Sequence, residues 1–208
     1  MKEQRRHQRV RFGVTQPFVR LGQSGITGMG RLMNLSLGGL MVRTEMPLKI
    51  GQVFGCEFTV LGSALVDMSA VVVSRVGDDL YSARFQAGPL SEVLIEDIIS
   101  RALASGDGSI LSINEIQGKR VMRVVGGLND SLRNDFIHGL ENVKVDEIDL
   151  SDVTSVDSNG LELCRLAKKN YHVAITRPSA YAKEKMEGPP EKNRTTSSQA
   201  RKPVKKDR

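Results

Sequence analysis

Between residues 14 and 85 the chain alternates apolar and polar positions in six short runs. They read VTQPFVRL (14–21), GMGRLMNL (28–35), GLMVRTE (39–45), VFGCEFTVL (53–61), LVDMSAVVVSRV (65–76) and LYSARF (80–85). Turn-forming clusters separate them: GQSG, LGG, PLKIG, LGS and GDD. Alternation bounded by Gly, Pro and Asp predicts strands, and six of them with no long helix between predict an antiparallel barrel. The period then changes. In PLSEVLIEDIISRALA (89–104), Leu90, Val93, Leu94, Asp97/Ile98 and Ala102 recur at helical spacing, with Pro89 and Ser91 as start signals. This predicts a helix that packs on the barrel and closes a first domain over 1–104. SGDG (105–108) reads as a short hinge.

Beyond the hinge the pattern belongs to another fold class. SILSINEI (109–116) and RVMRVVGG (120–127) predict two strands around a QGK turn. NDSLRNDFIHGLE (129–141) places Leu132, Phe136 and Leu140 on one helical face. VDEIDLSDV (145–153) reads as a buried strand. SVDSNGLELCRLAKK (155–169) reads as a turn and then a helix with Leu161, Cys164 and Leu166 inward, and HVAIT (172–176) as a last strand. Strand and helix in alternation predict a small α/β domain over 109–181. From 183 to 208 only Met186 and Val204 are large and apolar among charged, Pro, Ser and Thr residues, which predicts a disordered basic tail.

Charge adjusts this picture. The net charge is +6 over 208 residues. Lys2, Arg5, Arg6, Arg9 and Arg11 against Glu3 make the first eleven residues basic, and nine Lys/Arg against four acids do the same for 183–208. The body between them is mildly acidic. The basic character therefore belongs to the ends, and with no aromatic side chain in the tail to stack bases, nucleic acid is not the expected partner. Aromatics are 4% of the chain and Trp is absent, so the cores must be aliphatic. Cys56 and Cys164 lie far apart in apolar settings and read as buried free thiols. His7, His138 and His172 have no metal-ligand spacing. No apolar run approaches the ~18–20 residues of a membrane span, and no apolar stretch follows the basic start. The expectation is a cytoplasmic protein. No nucleophile–base pair, P-loop or metal motif suggests an enzyme.

Two short stretches carry the candidate chemistry. QRRHQRVRF (4–12) contains four arginines, and NLSLGG (34–39) occupies a turn between strands. Taken singly, the first reads as a solvated charge run and the second as an Asn/Ser-capped hairpin turn. Together and in this order they resemble a PilZ domain. The RxxxR motif of that family corresponds to Arg5-Arg6-His7-Gln8-Arg9, and the D/NxSxxG motif to Asn34-Leu35-Ser36-Leu37-Gly38-Gly39, ahead of a six-stranded barrel and a helix. The resemblance implies a receptor for cyclic di-GMP. Arginine's planar fork suits both a guanine edge and a phosphate. On that basis Arg5 and Arg9 contact guanine and phosphate, Arg6 stacks on a base, and Asn34 and Ser36 hydrogen-bond a guanine or its sugar-phosphate. Gly39 keeps the turn open with a permissive backbone.

IDLSDVTSVDSNGLELC (148–164) resembles the centre of a STAS domain of the anti-sigma-factor-antagonist type. The Asp-Ser-Ser-Gly of that family reads here Asp157-Ser158-Asn159-Gly160, and GKRVMRVVGGLND (118–130) fits the strand and helix entry before it. The serine phosphorylated in the antagonists is replaced by Asn159. Asp157 to Gly160 are thus expected to be a helix cap and a corner for docking a protein, with Ser158 as a neighbouring phosphorylation candidate. The leading expectation is a non-enzymatic adaptor that senses cyclic di-GMP and relays it to a protein partner. The alternative is a phosphorylation-switched regulator whose PilZ domain does not bind ligand.

Overall fold

The computed structural model describes residues 8–13, 15–86 and 88–187. Among them, strands β1 (Val10–Phe12), β2 (Phe18–Gln23), β3 (Ile26–Ser36), β4 (Gly39–Arg43), β5 (Val53–Phe58), β6 (Val66–Arg75) and β7 (Leu80–Phe85) precede helix α1 (Pro89–Ser105). Strands β2 to β7 are the six runs legible in the sequence. They pair antiparallel in the order β3-β2-β5-β6-β7-β4, and β4 pairs with β3 again to close the barrel. Its core is aliphatic with few aromatics: Leu21, Leu32, Leu35 and Phe54 are fully buried.

Helix α1 lies against this barrel with only part of the face the periodicity suggested, through Ile98 and Ala102. Ile95, Ile98 and Ala102 are buried, whereas Leu90 is 84% and Val93 64% exposed. Gly106, left-handed at φ 80, ends the helix by donating its N–H to the Leu103 carbonyl.

The second half contains β8 (Gly108–Ile116), β9 (Lys119–Leu128), a 3-10 turn (Asp130–Leu132), α2 (Arg133–His138), a π turn (Gly139–Val143), β10 (Glu147–Val156), α3 (Ser158–Asn170), β11 (Ala174–Thr176) and α4 (Ala180–Glu187). β8 and β9 form an antiparallel hairpin, and β9, β10 and β11 run parallel. The α3 face turned inward is Gly160, Leu163, Cys164 and Ala167, so Leu163 and Ala167 replace Leu166 in the expected stripe. Helix α4 extends through Lys183–Glu187, where the sequence suggested a tail. Ala182 is fully buried there and Met186 packs on the core. The rest of the expected tail, 188–208, lies outside the described residues.

The three-residue β1, absent from the six-run pattern, joins the two halves. It pairs antiparallel with β3 on one side and β8 on the other, so all eleven strands belong to one sheet. Residues 105–108 are therefore not a free hinge. Gly13 N–H donates to the Asp107 carbonyl at 3.1 Å, Thr154 Oγ1 to Leu103 at 2.7 Å and Ser155 Oγ to Gly106 at 3.2 Å. Two apolar cores remain distinct on either side of this seam.

Candidate functional site

β1 sets the first element of the site. Val10 and Phe12 point into the barrel core and are 0% and 3% exposed. Strand alternation then turns Arg11 to the opposite face. Arg11 stands directly across from Asn34 of β3, so the two side chains share a face. Arg9 immediately precedes the strand. The sequence reading did not single out Arg11, because the three residues Val10-Arg11-Phe12 are too few to establish an alternation.

The second element is the β3–β4 turn. Ser36 pairs with Gly39 across Leu37-Gly38. The Ser36 hydroxyl donates to the Gly39 carbonyl at 3.2 Å, and Ser36 is 7% exposed. Asn34 is 8% exposed, with its amide nitrogen 3.5 Å from the Met41 sulfur. Gly39 corrects its expected role. It is an ordinary strand residue outside the left-handed region, and a Cβ on it would sit 2.2 Å from the Ala83 carbonyl oxygen of β7. The close approach it permits is by the neighbouring strand.

Arg9 and Asn34 come together in a cleft of about 240 Å³. The barrel side supplies Gln8, Arg9, Arg11, Asn34 and Met41. The opposite wall is Ile110, Leu111 and Ser112 of β8 with Asp135 of α2. Arg11 forms an ion pair with Asp135 across it. Arg5 and Arg6 lie outside the described residues. Ser36 and Gly39 build the adjoining turn and are not part of the cleft lining. The second-half wall had no local signal in the sequence, because it depends on β1 pairing with β8.

A larger cleft of about 610 Å³ lies among Phe18, residues 26–31, residues 43–47 and Asp79. Arg31 stacks on Phe18 at 3.6 Å and Arg43 pairs with Asp79 at 3.3 Å there. None of the motif residues lines it, so size alone does not mark the site.

The second candidate corner opens α3. Asp157 Oδ1 accepts the Gly160 N–H at 2.7 Å, which makes Asp157 the helix cap. Ser158 is the exposed first residue of the helix and Asn159 is half-buried. Gly160 is buried so tightly that a Cβ would stand 2.1 Å from the Leu128 carbonyl oxygen. Asp157 also faces a small cleft shared with Gly13, Gly106, Asp107 and Ser155, so this corner abuts the seam with the barrel. Among the described residues no three His, Cys, Asp or Glu side chains gather as a metal site. Burial, with a smaller contribution from Asp67, pushes the Cys56 thiol up to about 12. Burial likewise pushes Cys164 up to about 11, so both thiols are protonated and poor nucleophiles near neutrality.

The family model of the PilZ domain matches residues 3–103, and this part of the chain is a PilZ domain. The match covers just under half of the 208 residues. No curated protein matches the chain. Among solved structures, similarity is found to the PilZ domain with c-di-GMP of YcgR from Escherichia coli. That pair is 24% identical, with a TM-score of 0.42, over 47% of this chain and 91% of that one. The complete YcgR in complex with c-di-GMP is 25% identical with a TM-score of 0.42, over 48% of this chain and 46% of that one. The MrkH–c-di-GMP complex of K. pneumonia is 19% identical with the same TM-score, over 47% and 52%. The chain thus spans about half the length of the longer proteins it resembles. No described helix is long and apolar enough to cross a membrane.

Proposed function

We propose that the protein is a cyclic di-GMP receptor of the adaptor kind, in which the barrel with α1 (1–104) binds the nucleotide and the α/β half (109–181) relays its presence to a protein. The observation that carries this reading is the meeting of Arg9 and Asn34, one from each PilZ motif, in one cleft. A guanidinium and a carboxamide are the groups that pair with phosphate oxygens and guanine edges. Arg5 and Arg6 complete the arginine set from the preceding residues, and Ser36 and Gly39 hold the turn that presents Asn34. No step of this function needs a catalytic group or a bound metal. Cytoplasmic location follows from the ligand, a cytoplasmic second messenger.

The relay half is proposed to be STAS-like. An antiparallel hairpin followed by parallel strands, with a capped helix opening at Asp157-Ser158-Asn159-Gly160, supports that assignment. The corner at Asp157 to Gly160, together with Asn159 in place of the phosphorylated serine, is assigned to partner docking. One observation favours the phosphorylation alternative: Ser158 is exposed and is not the helix cap. Mass spectrometry of protein from its native cells decides between them. Absence of phosphate at Ser158 is expected, and stoichiometric phosphate would replace docking with a switch.

Calorimetric titration with cyclic di-GMP tests the receptor reading. Wild type should bind. Arg9→Ala should lose roughly ten- to a hundredfold in affinity, the range for ~1.5–3 kcal/mol of charged hydrogen bonding. No heat of binding for wild type, or no loss in Arg5→Ala/Arg9→Ala, would overturn it.

A further inference from the structure

The nucleotide cleft is not built by the barrel alone, and one of its cations is already held by a carboxylate. Asp135 belongs to α2, in the α/β half, yet it lines the same cleft as Arg9 and Asn34. Its carboxylate is paired with Arg11. Arg11 is in turn the residue of β1 whose backbone pairs with Asn34 on one side and Ser109 of β8 on the other. One cation thus stands between the motif that recognises the ligand and the half that is to respond to it.

We infer that Asp135 is a competing anion for Arg11: cyclic di-GMP draws Arg11 onto a phosphate, breaks the Arg11–Asp135 pair, and so delivers its binding signal to α2. The inference rests on cyclic di-GMP occupying this cleft. Four features support it. The pair is half-exposed on both sides, 41% and 41%, so it is accessible to a ligand and weak enough to exchange. Asp135 can be rehydrated once released, which keeps the exchange inexpensive. Asp135 also adjoins Phe136, which is fully buried in the second core along with Leu132, so a change at the carboxylate bears on a packed element. In sequence α2 is short, six residues between a 3-10 turn and a π turn, and its ladder of regular helical bonds is correspondingly brief.

The exchange predicts a gain of affinity on a conservative change. Asp135→Asn keeps the shape and removes the competing charge. Calorimetry with cyclic di-GMP should show binding about two- to fivefold tighter than wild type, the range for releasing one exposed ion pair. In an Arg11→Gln background the same substitution should have no effect, because there is no arginine left to release; this double-mutant cycle separates the exchange from plain charge repulsion. In wild type, ligand should also speed amide hydrogen exchange over residues 130–138. Wild type that binds, with Asp135→Asn equal to it or weaker, overturns the exchange and leaves the receptor reading standing. Equal tightening in both backgrounds overturns it as well, since the charge would act without Arg11. Wild type that fails to bind cyclic di-GMP overturns both.

Discussion

Gly39 shows how the local role of a motif residue can be misread from the sequence. The family pattern picks it out, and a turn glycine ordinarily suggests a left-handed backbone open to a ligand. Its position is fixed instead by β7, whose Ala83 carbonyl oxygen would lie 2.2 Å from any Cβ. Gly39→Ala must push β4 and β7 apart. It should cost about 1–3 kcal/mol in urea denaturation, the usual range for overpacking. Stability within ~0.5 kcal/mol of wild type would show that the turn absorbs the methyl. Asp157 makes a similar point. Adjacent Asp, Ser and Asn could each cap a helix, and the sequence leaned on Ser158 as much as on Asp157. The bond from Gly160 N–H to Asp157 decides it. Asp157→Ala should lose about 1 kcal/mol, whereas Ser158→Ala should change stability by less than ~0.5 kcal/mol. The thiols give a third test at this scale. With Cys56 raised to about 12 and Cys164 to about 11, the thiolate forms only at strongly alkaline pH. In the folded protein a disulfide reagent at pH 8 should label neither until denaturant is added, and prompt labelling of Cys56 would contradict its burial.

At the scale of elements, the barrel strands were legible because each buries one face, which writes a period of two into the sequence. Helix α1 was legible as a helix but only partly in its rotation: Ile98 and Ala102 were read inward correctly, Leu90 and Val93 were not. Its apolar residues support two overlapping stripes, one through Leu90 and Val93 and one through Ile95, Ile98 and Ala102. The choice is made by what the helix lies against, which includes the end of β10 at Thr154 and Ser155 as well as the barrel. That partner is fifty residues away and leaves no local trace. The stripes make opposite predictions. Ile98→Ala should cost about 2–4 kcal/mol by equilibrium unfolding, because Ile98 is 1% exposed and its removal leaves a cavity. Leu90→Ser, at 84% exposure, should stay within ~0.5 kcal/mol. The reverse ranking would put α1 in the other rotation. β1 was missed for a different reason: three residues are too few to display a period. Half of the candidate cleft was lost with it, since Ile110, Leu111, Ser112 and Asp135 reach Arg9 only because β1 pairs with β8.

Across the whole molecule, the question is whether barrel and α/β half unfold together. Their separate apolar cores would allow two transitions. The seam argues for one. β1 gives hydrogen bonds to both halves, and the Thr154 and Ser155 hydroxyls of β10 donate to the Leu103 and Gly106 carbonyls at the end of α1. Backbones also meet closely there: a Cβ on Gly127 would lie 2.1 Å from the Gly106 carbonyl oxygen. Gly127 itself belongs to β9, a strand of the second half, while Gly106 caps the helix of the first. Gly127→Ala is therefore a wedge driven into the seam from one side. If the halves are coupled, scanning calorimetry should show a single transition for wild type, displaced downward as a unit in the variant. For a chain of this size the displacement should be about 2–4 °C for each kcal/mol lost. If they are independent, the barrel should melt at its original temperature while a second, lower transition separates from it. That second outcome would also remove the mechanical basis for passing a signal from Arg11 to α2, because a strand that does not couple unfolding cannot be expected to couple binding.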